Sequence, residues 1–61
     1  MKMRHIVKLC SGAKEVYNFR TKTESDKALN NAFTINKTFK TIKCIWVEPE
    51  NKPWKRQRID L

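Results

Sequence analysis

The stretch KMRHIVKLCSGAKEVYNFRTK, Lys2 to Lys22, limits the fold more than any other part of the chain. Its odd positions carry Met3, His5, Val7 and Leu9, then Tyr17 and Phe19; its even positions carry Lys2, Arg4, Lys8, Lys14, Arg20 and Lys22. Strand side chains alternate between faces with a period of two. The run therefore reads as a β-hairpin with one face to bury and one face loaded with positive charge. Ser11-Gly12-Ala13 supplies the turn, since a short connection containing Gly is a hairpin signal. Two registers keep odd residues opposite odd ones: Leu9 facing Ala13, or Leu9 facing Glu15. A two-residue Ser11-Gly12 loop would mix the faces, and a face that must be buried selects against it. The favoured registers oppose like charges, Lys8 with Lys14 or Arg4 with Arg20. Such pairs are mildly destabilising, and an anion resting there would relieve them.

The hairpin needs a cover for its odd face. Thr23-Glu24-Ser25-Asp26 has the form of an N-cap with an acid three residues on, and acids in the first turn suit the helix dipole. Ala28, Leu29, Ala32 and Phe33 then fall on one helical face. This predicts a helix over about Glu24 to Ile35, leaving at Asn36-Lys37, with Leu29 and Phe33 docked on the hairpin. A helix that short is marginal alone. FKTIKCIWVE, Phe39–Glu48, is rich in β-branched and aromatic residues and reads as a strand. Its apolar residues occupy both parities. Ile42, Cys44 and Trp46 are assigned to the covered core together with Tyr17 and Phe19, which leaves Ile45 and Val47 on the open side as an apolar contact spot or homodimer seam. Pro49–Pro53 is a turn cluster. Residues 52–61 read as an edge strand, a short helix opening at Pro53 or a flexible tail; as a strand they point Ile59 and Leu61 inward. The fold class expected is α+β: a small antiparallel sheet, ββαβ or ββαββ, with one helix on one face.

Sixty-one residues make one domain, 1–61, which buries only about 60% of the surface its unfolded chain exposes. Fourteen Lys+Arg against six Asp+Glu give a net charge of +8 and a pI near 9.9. A field that dense favours anionic partners, nucleic acid first and then an anionic membrane or acidic protein surface. No apolar run suggests a secretory signal or a membrane span. Cys10 and Cys44 are expected as free thiols in a reducing cytoplasm. Lys, Asn, Ile, Phe and Tyr supply 24 of the residues, all with AT-rich codons, which suits a phage or mobile element and hence a host cytoplasm.

Chemistry-bearing constellations are sparse. His5 is the sole histidine; Cys10 falls on the opposite strand face, and Cys44, placed beside it in the core, reads as packing. General acid–base work needs a partner within hydrogen-bond reach, and two separated cysteines with one histidine do not make a zinc pattern. No enzyme, cofactor or metal is expected. The main signal is the basic even face: Lys2, Arg4, Lys8, Lys14, Arg20 and Lys22, with Lys43 nearby and Trp54, Arg56 and Arg58 at the rim. Phosphate neutralisation drives non-specific nucleic-acid affinity, and aromatics among the cations offer stacking. The expectation is a module that binds RNA or single-stranded DNA. The alternative is a small regulator of phage type that inhibits a host protein or toxin, with the same charges on an acidic protein surface and Ile45, Val47 and Trp54 as apolar anchors.

Overall fold

A computed structural model describes residues 2–61. Gly12 has φ 95°, a conformation that L side chains rarely adopt, and it closes a loop of Cys10, Ser11 and Gly12. The Gly12 N–H donates to the Leu9 carbonyl (3.0 Å) and the Leu9 N–H to the Ala13 carbonyl (2.9 Å). Strands β1 (Met3–Leu9) and β2 (Lys14–Phe19) consequently pair antiparallel with His5 opposite Tyr17 and Lys8 opposite Lys14. Of the two expected registers this is the Leu9–Ala13 one. Arg4 meets Asn18, not Arg20.

The helix α1 spans Lys22–Phe39, longer at both ends than the periodicity predicts. Its N-cap is Thr21 rather than Thr23. The Thr21 hydroxyl accepts from the Glu24 N–H at 3.2 Å, so Thr21 and Glu24 occupy the S/T-x-x-E spacing that Thr23 and Asp26 also show. No breaker follows Asn36, and the helix runs on until Lys40 takes a left-handed conformation (φ 50°) with its N–H donating to the Asn36 carbonyl. The Asn36 side chain also accepts from the Ile42 N–H at 3.0 Å, tying the helix end to the next strand.

That strand, β3 (Ile42–Pro49), begins three residues later than expected. It pairs antiparallel with β1, placing His5 opposite Val47 and Val7 opposite Ile45. A 3₁₀ turn at Pro53–Lys55 leads into β4 (Gln57–Asp60), so the C-terminal stretch supplies an edge strand. The molecule is α+β: a four-stranded antiparallel sheet, order β2-β1-β3-β4, with one helix over one face.

The β1–β3 register reverses the expected sides of β3. Ile45 is 1% exposed and lies with Met3, His5 and Val7 in the core under the helix; Val47 shares that face. Cys44 and Trp46 lie on the helix-free side. An Ile45/Val47 homodimer seam is thereby removed, because those residues already pack against the odd face of β1. Ile42 does join the covered side: a bulge puts it opposite Leu9 while Cys44 stays opposite Lys8, with Lys43 as the extra residue. Tyr17 is likewise not core, being 46% exposed. Ala28 and Ala32 are too small to fill the space above β2, and a cavity of about 390 Å³ opens there beside Tyr17, Phe19 and Ile35. The most buried helix residue is Ser25, whose Oγ lies 2.6 Å from His5 Nε2.

Candidate nucleic-acid interface

Side chains of equal parity on paired strands line up in rows across a sheet. On the helix-free face three rows follow from the registers. The middle row is Val16, Ile6, Trp46 and Arg58. On one side of it run Lys14, Lys8, Cys44 and Asp60. On the other run Asn18, Arg4 and Glu48, with Arg56 reaching in from the residue before β4. The face is therefore an apolar strip of Val16, Ile6 and a half-buried Trp46, flanked by Lys8 and Lys14 on one side and by Arg4 and Arg56 on the other.

Trp46 is the functional candidate that sequence reasoning misplaced. The Arg58 guanidinium lies over its ring, 5.7 Å from the centroid, and Arg58 Nε donates to Asp60 at 3.0 Å. The signal that would have found Trp46 is the parity of Glu48. An acid avoids the apolar face beneath a helix, and Trp46 shares the face of Glu48.

Glu48 itself is 1% exposed. Its Oε1 accepts from Arg4 at 3.4 Å and its Oε2 from Arg56 Nε and NH2 at 3.3 Å. Arg4 Nε also donates to Asn18 Oδ1 at 3.4 Å. The buried carboxylate thus holds two guanidinium planes in fixed positions while both remain partly open to solvent, at 33% and 47%.

The predicted cationic residues divide into groups. Arg4, Lys8, Lys14, Arg56 and Arg58 come together on or beside the helix-free face. Lys2 and Arg20 line a cleft at its corner together with Arg4, Asn18, Phe19 and Glu50. Lys22 is not on the sheet, being the first residue of α1. Lys43, set apart by the bulge, lines a separate hollow with Lys37, Lys40 and Phe33 at the helix end and does not extend the hairpin surface. Trp54 sits in the 3₁₀ turn, 75% exposed.

His5 and Ser25 form a close polar pair, but they lie under the helix. Cys44 is on the other side of the sheet, and the residues beside His5 are Val47 and Tyr17 on the flanking strands and Phe19, whose ring lies 4.4 Å away. Both cysteines are free thiols, Cys10 exposed and Cys44 buried. Among the described residues no helix is long and apolar enough to cross a membrane. No family model, curated protein or solved structure matches this chain.

Proposed function

We propose that the protein binds single-stranded nucleic acid, RNA or DNA, across the helix-free face of its sheet. The observation that carries this reading is Trp46 at one end of an apolar strip that it forms with Ile6 and Val16, bordered by Lys8 and Lys14 on one side and Arg4 and Arg56 on the other. Bases need an aromatic platform and phosphates need cations beside it; the rows supply the two in alternation. Four strands at the usual spacing make a platform about 14 Å across, wide enough for a base stacked on Trp46 with phosphates reaching the flanking cations. A duplex would bury its bases away from Trp46, which is why a single strand is favoured. On binding, Arg58 leaves the Trp46 ring for a phosphate and the base takes its place.

The inhibitor alternative rested on Ile45, Val47 and Trp54 as anchors. Ile45 and Val47 are on the helix side, which leaves Trp54 alone and favours the nucleic-acid reading.

The test uses the opposed lysines. Lys8→Glu turns a repulsive cross-strand pair into an attractive one, so the variant stays folded while the face loses charge. Binding to short oligouridylate and oligothymidylate, measured by fluorescence anisotropy across a salt series, is expected to fall about tenfold or more with Lys8→Glu and to weaken steeply with salt in the parent. A Trp54→Phe protein, in which Trp46 is the sole tryptophan, should show fluorescence quenching as bases stack. Undiminished binding by Lys8→Glu, or an unchanged Trp46 signal at saturation, rejects this face as the contact surface.

A further inference from the structure

The corner cleft holds more positive charge than a strand passing over the sheet requires. It encloses about 430 Å³ and is lined by Lys2, Arg4, Asn18, Phe19, Arg20 and Glu50. Three of these are cations and one is an acid. Its geometry is fixed from behind. Arg4 is held through Nε by Asn18 and through a terminal nitrogen by the buried Glu48, so its orientation is set before any ligand arrives. The backbone at Lys2 is held too, its carbonyl accepting from the Glu50 N–H at 3.0 Å one step beyond the β1–β3 ladder, and its exposed side chain lines the cleft. Arg20 completes the ring from the end of β2.

We infer that this cleft recognises a terminal phosphate, a phosphomonoester at the end of a nucleic-acid strand. This rests on the nucleic-acid reading and sharpens it. An internal phosphodiester carries a single negative charge, whereas a phosphomonoester carries close to two near neutral pH and presents three acceptor oxygens. Three cations lining one cleft match the second kind of group. A guanidinium whose plane is already fixed suits planar, paired contact with phosphate oxygens. The cleft also lies at the edge of the row formed by Asn18, Arg4 and Glu48, beside the apolar strip. A strand whose end sits in the cleft continues onto Trp46. Glu48 acts here as a positioning residue, since it touches the arginine and not the ligand.

The experiment compares one short oligothymidylate in three forms: 5′-phosphorylated, 3′-phosphorylated and with hydroxyls at both ends. A phosphorylated end is expected to bind about tenfold tighter than the hydroxyl form, the return on one or two added charge-assisted hydrogen bonds. The Lys2→Gln/Arg20→Gln double variant should lose that preference, while Lys8→Gln weakens all three forms alike. Equal affinity of the three forms for the parent protein overturns the inference and leaves the nucleic-acid reading in place. A preference that survives in the double variant overturns it too. If no oligonucleotide binds, inorganic phosphate is titrated and followed by amide NMR. Shifts confined to Lys2, Arg4, Asn18 and Arg20 then sustain a phosphate site while the nucleic-acid reading falls, and absence of shifts overturns the cleft as well.

Discussion

His5 sits 3% exposed, its ring against Phe19 at 4.4 Å and its Nε2 against the Ser25 hydroxyl. Burial pushes its pKa below the ordinary 6.5, partly opposed by the nearby Asp26 carboxylate. The unfolded chain therefore takes up a proton near pH 6.5 while the folded chain resists it. Stability is complete above that pH and declines as pH falls toward the depressed folded value. Thermal melts should show a flat Tm above about pH 7, a fall below it, and a smaller fall in His5→Asn. Ser25→Ala, which strips Nε2 of its partner, should cost about 1–2 kcal/mol in a denaturant titration. Glu48 presents an asymmetry of a different sort. Arg4→Met with Arg56→Met strands a buried carboxylate and should cost about 3–5 kcal/mol. That is much of the ~3–9 kcal/mol a chain of this size commands at ordinary per-residue stability. Glu48→Gln should cost clearly less, since both arginines can turn to solvent. Equal losses in the two urea titrations would show that the arginines are as trapped as the acid.

The first hairpin was legible because its two parities differ in chemistry; its loop and the even placement of Arg4, Lys8 and Lys14 followed from that. Strand β3 was not. Ile42, Cys44 and Trp46 are as apolar as Ile45 and Val47, so its own pattern could not say which set the helix covers. Pairing with β1 decided it, and the Lys43 bulge then let Ile42 cross over. The candidate site was legible to the same extent as the strands that carry it. Arg4, Lys8 and Lys14 lie on the face their parity predicts, whereas Trp46, on β3, was assigned to the core. The helix was legible in its middle and not at its ends. Its last turn stops at Lys40, a non-glycine residue at positive φ, where no sequence signal marks an end. At its start two threonines compete for the cap, and substitution separates them. Thr21→Ala should lower stability by about 1 kcal/mol, and Thr23→Ala, within the helix, should change it little. Melting the two variants side by side checks the assignment; a larger loss at Thr23 would move the cap.

Over the whole molecule the sheet has two unlike sides. One is covered over β1 and β3 by a helix, burying Met3, His5, Val7, Ile45 and Ser25, and stays open above β2. The other carries the apolar strip and its flanking cations, and among the described residues no helix lies across it. A chain of net charge +8 also repels itself, and Lys8 opposite Lys14 concentrates that repulsion at one point of the ladder. Lys8→Glu should accordingly raise stability by about 0.2–1 kcal/mol as it weakens oligonucleotide binding, a gain and a loss from one substitution. Salt extends this to a prediction about the parent. Added salt screens self-repulsion and should lift the Tm, while the same salt competes with phosphates and should drive the oligonucleotide off. Melts and binding isotherms over one salt series are expected to slope in opposite directions, and parallel slopes would contradict a repulsive Lys8–Lys14 pair. That pair leaves the bare domain short of electrical balance: on the proposed reading, part of the affinity for a polyanion would be the release of a tension the fold carries when alone.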